Sequence, residues 1–224
     1  AAPTKTEYEL VQTLDRLQAW IDAAYDTGMI AVDTETDALD AMGAGLVGVS
    51  LATEAGKACY IPLAHVSSAP QGQLDLGGDA GDAGAAPEQI PMDAALAALK
   101  PMLEDPSILK IGQNIKYDMQ VLGRYGVEVG PIDDTMLLSY VLDGGLHGHG
   151  MDELARDFLN HDTIKFKDVT GSGKSQLSFD QVPLDKALDY AAEDADITLR
   201  LHQMFKPRLV AEHMVTVYET LERP

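Results

Sequence analysis

The chain has 224 residues, 46% of them hydrophobic, and a formal net charge of −20. That length and apolar share suit one large domain with a substantial core. The acidic total argues against non-specific nucleic-acid binding, which uses a basic surface. No run of about 18 apolar residues occurs, so no membrane span is expected, and the polar opening "AAPTKTEYEL" lacks the apolar stretch of a signal peptide. The chain opens on Ala rather than Met and reads as a processed or excised fragment. The single cysteine, Cys59 in "ACYIPLA", reads as a buried free thiol, which fits a cytoplasmic protein. Charge is uneven: eleven of the sixteen Lys and Arg fall between Lys110 and Arg208. A local basic track, or a site whose acids are neutralised by cations, is therefore compatible with the acidic total.

In chain order, "LVQTLDRLQAWIDAAYDTG" carries Leu14, Leu17, Ile21 and Ala24 at helical spacing and stops at Gly28; Trp20 belongs to its core side. "MIAVDT", "LVGVSLAT" and "KACYIPLA" are β-rich runs split by Gly-containing turns, an antiparallel meander. The Gly/Asp/Pro-rich stretch over about 67–90 reads as a flexible surface insertion. "AALAALKPML" is helical, "ILKIG" a strand and "KYDMQVLGRYG" a helix with Asn114 as its N-cap. "DDTMLLSYVLDG" and "MDELARDFLN" give two more helices, and a long one runs from about Pro183 to about Pro207, with another to the C-terminus. The expectation is an α/β fold, a mixed five-stranded sheet flanked by helices.

Three acids or acid pairs break the patterns. On a strand alternate residues share a face, so Met29, Ala31, Asp33 and Glu35 point one way. Two carboxylates so close raise one another's pKa unless a cation compensates; a polar strand end in water is the competing reading. In the next helix Asp118 falls in the apolar stripe of Ile115, Met119 and Leu122, although a helix-dipole role would also place an Asp there. In "YAAEDADITLRL", at about 100° per residue, Tyr190, Asp194, Ile197 and Leu201 form one stripe. Asp194 thus faces inward and needs a partner or a metal. Glu193 and Asp196 are expected to be solvated. Tyr190 lies one turn before Asp194 and shares its cavity. Four inward carboxylates without His or Cys suit Mg²⁺ or Mn²⁺, and a two-metal phosphoryl-transfer site.

Asp33-Thr34-Glu35, Asn114 to Asp118, and Tyr190 to Asp194 resemble the three motifs of the DEDD superfamily of 3′–5′ exonucleases, tyrosine subclass. "VDTETDALD", "KIGQNIKYD", "DTMLLSYVL", "MDELA" and "YAAEDADITLRLH" extend the resemblance to the proofreading domain of bacterial DNA polymerase I. It covers the chain from about Glu7 to the end. The resemblance implies a ribonuclease H-like fold, an exonuclease domain over 1–215, and in 216–224 the start of a truncated polymerase region of the same parent chain. It implies two divalent ions: Asp33, Glu35 and Asp194 on the tighter one, Asp33 on the second with Asp118 acting through water. Tyr190 and Glu35 would orient the attacking water. Leu39 and Phe179 would wedge the terminal bases, and Gln113, Asn114, Lys116 and Tyr117 would touch the 3′-terminal nucleotides. The implied substrate is single-stranded DNA or a frayed 3′ primer end, handled by a monomer in a bacterial cytoplasm. Where the family often has Arg before the His preceding "MD-L", this chain has Gly148, with His147 and His149 as possible substitutes.

"GSGKS" is not a phosphate loop, because the first Gly of that motif would fall on Asp168. A loop bringing Lys174 near a DNA backbone is the better reading. "HGHG" reads as solvated histidines. The rival functions are a ribonuclease D-like RNA trimmer and a non-catalytic single-strand-binding scaffold.

Overall fold

The computed structural model describes residues 6–66 and 87–224. Most of the Gly/Asp-rich insertion lies outside the described residues. The elements are β1 (Glu7–Leu10), α1 (Leu14–Thr27), β2 (Met29–Thr36), β3 (Leu46–Glu54), β4 (Lys57–Pro62), α2 (Met92–Glu104), β5 (Leu109–Gly112), α3 (Lys116–Arg124), β6 (Ile132–Asp134), α4 (Thr135–Asp143), α5 (Met151–Leu154), α6 (Phe166–Thr170), α7 (Leu184–Ala211) and α8 (Val215–Val217).

The strands form one mixed sheet in the order β1-β4-β3-β2-β5-β6. The meander β2-β3-β4 is antiparallel, β5 joins β2 in parallel and β6 joins β5 in parallel. Among the described residues the sheet therefore has six strands, not five, and both β1 and β6 escaped the sequence reading. With four and three residues they are too short to show a period. β1 pairs with β4 from the sheet edge.

Residue size on alternate strand positions sets the two faces. Ile30, Val32, Val49, Leu51 and Ile61 bury large side chains with those of α1, α2 and α3. On the opposite face Ala31, Ala52, Ala58 and Ile111 meet Ala192, Ala195 and Leu199 of α7. Small residues on both sides bring α7 close to the sheet. Asp33 and Glu35, two and four positions after Ala31, share its face and point toward that helix.

α1 ends on Gly28, whose φ of 69° and N–H bond to Ala24 O close the helix directly before β2. Asn114 is not a side-chain cap: it is left-handed (φ 58°), and its N–H and that of Ile115 are accepted by the Asp134 carboxylate. α7 runs through Pro207 to Ala211, past the expected end. Burial of Phe205 and Leu209 and the paired bonds of Arg208 to Asp143 (2.8 and 2.9 Å) hold this last stretch. The "MDELARDFLN" segment is one helical turn, α5, running into a π-helical turn that Asn160 ends in the left-handed region. Cys59 is buried and free, and Trp20 is 5% exposed.

Candidate active site

Asp33 and Glu35 stand on β2, paired with Ser50 and Gly48 of β3, just before a bulge between Glu35 and Thr36. Glu35 faces Gly48; a Cβ on Gly48 would meet the Tyr60 hydroxyl at 2.2 Å, so only glycine leaves that ring its place. Asp194 descends from α7 onto the same spot. One carboxylate oxygen from each of Asp33, Glu35 and Asp194 lies within 4.8 Å of the others. Asp118, 3% exposed on α3, is tied in through the residue between the first two acids: Thr34 donates to its Oδ1 from the backbone N (2.9 Å) and from Oγ1 (2.6 Å).

These acids are poorly compensated. Burial, and then the Asp194 charge, hold the Asp33 carboxyl well above its usual range. Glu35 is raised by burial and by the other three acids, and its Oε1 is buried without a hydrogen-bond partner. Asp118 is raised by burial and by Asp33, against the opposing pull of the Thr34 bonds. Burial, then the neighbouring Glu193, push Asp194 up to about 8, although the Tyr190 hydroxyl pulls it down. Tyr190 keeps its proton, because burial and Asp194 raise its pKa far above the ordinary tyrosine value.

Beside the cluster runs a groove of about 690 Å³, whose walls include Glu35, Leu39, Tyr117, Phe166, Phe179 and Tyr190. Leu39 is 95% exposed. Tyr117 holds the loop behind it, with its hydroxyl bonded to Thr36 Oγ1 (2.7 Å) and to Ala38 O (2.8 Å). Phe179 does not have the free face expected of a base wedge. It is 1% exposed, its ring against Tyr60 and His65 and under Phe166 (centroids 6.2 Å apart, 15° between planes). Of the two phenylalanines lining the groove the accessible one is Phe166, 42% exposed, a residue the sequence reading did not name. Its signal was a lone aromatic between two lysines in "KFK".

The other sequence-derived contacts divide. Lys116 and Lys174 are exposed, and Asn114 is half-buried. Gln113 is spoken for within the protein: its amide donates to His149 O (2.8 Å) and its carbonyl accepts from Thr135 Oγ1. A Cβ at Gly148 would lie 2.3 Å from Glu153 Oε2, so Glu153 fills the space a larger residue would need. His147 and His149 are not simply solvated. They are half-buried in an aromatic row with Phe158 and Tyr140, and His149 Nδ1 bonds Ser139 Oγ (2.9 Å).

Two acids contradict the expectation of solvation outright. Asp196 is fully buried, accepting from Gly56 N (2.7 Å) and the Tyr8 hydroxyl (3.0 Å), with Arg200 at 3.8 Å. Glu193, 7% exposed, accepts from His161 Nε2 (2.8 Å) and Ile164 N (2.6 Å). α7 is covered on the side its apolar stripe leaves open, and these carboxylates satisfy the covering segments.

The fold and its carboxylate cluster define a ribonuclease H-like nuclease. The solved structure of Escherichia coli RNase D, 18% identical, superimposes with a TM-score of 0.65 over 95% of this chain and 48% of that one, a likeness of fold. A family model described as 3′–5′ exonuclease matches residues 8–210. A DNA polymerase I of Rhizobium leguminosarum is 51% identical over 97% of this chain, and one of Pseudomonas aeruginosa 42% identical over 98%. The chain belongs to the 3′–5′ exonuclease domain family of DNA polymerase I, and it is a hydrolytic exonuclease domain. It spans 22% and 23% of the length of those two relatives. Among the described residues no helix is long and apolar enough to cross a membrane.

Proposed function

We propose that the chain hydrolyses the last phosphodiester at the 3′ end of single-stranded or frayed DNA, releasing nucleoside 5′-monophosphates. The observation that carries this reading is the partnerless Glu35 Oε1, buried among three further carboxylates at the edge of an apolar-walled groove. Buried acids without basic partners are costly, and an all-oxygen set fits a hard divalent cation such as Mg²⁺ or Mn²⁺. Asp33, Glu35 and Asp194 would hold one such ion, and Asp33 with Asp118 a second. When bound, the ions supply charge neutralisation and a water of lowered pKa.

The chain's own groups do the rest. Tyr190, kept protonated, and Glu35 orient the attacking water, a positioning contribution that appears in rate rather than binding. Leu39 and Phe166 receive the terminal bases, which stack better when unpaired. Lys116 and Lys174 face the phosphate backbone. The relatives' length supports placement in a longer parent chain with a polymerase region. The C-terminal stretch proposed as the opening of that region packs onto this domain: Tyr218 is fully buried, and its hydroxyl donates to Asp133 Oδ1 (3.0 Å).

The test is release of mononucleotides from 3′-labelled single strands of DNA and of RNA, with Mn²⁺ and with EDTA. Metal-dependent release from DNA at the higher rate is expected. Faster release from RNA would transfer the reading to RNA trimming, and no release from either would leave a binding scaffold.

A further inference from the structure

Glu193 stands one residue before Asp194, about 100° around α7 from it. There it meets the segment between the π-helical turn and α6. Its two oxygens accept from different points of that segment, Oε1 from His161 Nε2 and Oε2 from Ile164 N. Two residues after Ile164 comes Phe166, the accessible ring of the groove. Phe166 closes the circuit by lying edge-on to Tyr190, centroids 6.1 Å apart, one turn back on the same helix. Its other neighbour is Phe179, on which it stacks. Among the described residues the segment contributes no strand to the sheet. Its further ties are Thr163 and Lys165 to the exposed residue Asp152, His161 N to Ala155 O (3.1 Å), and Ile164 packed against the buried cluster that includes Val47, Tyr60 and Phe179.

We propose that Glu193 is a positioning residue. By gripping His161 and Ile164 it fixes Phe166 at a set height over the groove, and so sets affinity for the 3′-terminal base. A ring on a more loosely tied segment would have to be ordered further at each binding event, and that ordering is subtracted from the stacking energy. A carboxylate that accepts a backbone N–H and an imidazole N–H makes two charge-assisted bonds, each stronger than a neutral one. The grip starts beside Asp194, so the base platform and the carboxylate cluster keep one geometry. This rests on the exonuclease reading above.

The experiment measures KM and kcat on a short 3′-labelled DNA single strand for the 224-residue chain and for Glu193→Ala, Glu193→Gln, His161→Ala, Phe166→Ala and the Glu193→Ala/Phe166→Ala double variant. Freeing the ring forfeits part of a stacking contribution whose complete loss is about tenfold or more, so Glu193→Ala should raise KM by up to about tenfold with kcat little changed. His161→Ala, which spares the Ile164 bond, should raise KM by a smaller factor. Glu193→Gln keeps an acceptor for Ile164 N and should restore most of the affinity. Sites that act as a unit are not additive, so the double variant should bind no worse than Phe166→Ala alone. Multiplicative effects in the double variant, a fall in kcat at unchanged KM, or a Gln variant as weak as the Ala variant would each overturn the proposal. If Glu193→Ala does not fold, an unchanged KM in folded His161→Ala overturns it equally. If wild type itself releases nothing, it is the exonuclease reading that fails.

Discussion

The Tyr8 hydroxyl donates to Asp196 Oδ2 at 3.0 Å, joining β1 to a helix residue 188 positions away. Gly56 N supplies the second bond, to Oδ1. Asp196 is a structural acid, bound to the sheet edge rather than to solvent, and removing it strands both donors. Asp196→Ala is expected to cost about 3 kcal/mol, the scale of lost charged hydrogen bonds plus unsatisfied groups. The check is urea unfolding, where the midpoint should fall with the slope unchanged. Tyr8→Phe should show a smaller fall of the same kind.

Asp194 makes stability depend on pH in a defined direction. Its folded-state pKa of about 8 lies above the ordinary 3.8, so the folded chain holds a proton that the unfolded chain releases. The resulting stability is complete below about 4 and is lost as pH rises toward 8. In EDTA, Asp194→Asn should therefore gain on wild type across that window in melting temperature. With Mn²⁺ the order should reverse, since a ligand of the folded state at a hundredfold excess over Kd adds about 2.7 kcal/mol. A melting difference that is flat with pH in EDTA would show that Asp194 does not carry the proton.

The two stacked phenylalanines should behave oppositely. Phe166→Ala removes a groove wall and should weaken single-strand binding by about 1–3 kcal/mol while changing unfolding little. Phe179→Ala empties a buried site among Tyr60, Val47 and Val182 and should cost about 3–5 kcal/mol of stability. Fluorescence-anisotropy binding and urea unfolding, run on both variants, separate the roles.

Tyr190→Phe keeps the ring against Phe166 and deletes the hydroxyl. Single-turnover hydrolysis should slow by about a hundredfold or more, the range of a positioned proton-handling group. The Mn²⁺-induced rise in melting temperature should persist, because all four carboxylates remain. An unchanged single-turnover rate would remove Tyr190 from the reaction.

Local periodicity was enough to place Asp33, Glu35 and Asp194 in one cluster. The alternation through Met29, Ala31, Asp33 and Glu35, and the helical stripe through Tyr190, Asp194, Ile197 and Leu201, are short-range regularities that backbone geometry imposes whatever the rest of the chain does. The meander and most helices were legible for the same reason. The sequence could not say what would cover the far side of α7. Glu193 and Asp196 lie off the apolar stripe and read as solvated, yet His161, Ile164, Tyr8 and Gly56 arrive from distant segments to bury and bond them. β1 and β6 are likewise decided by pairing with β4 and β5, not by their own few residues. Which of Phe166 and Phe179 stays accessible was decided only when one ring stacked above the other, because burial belongs to the assembled layers and not to the residue.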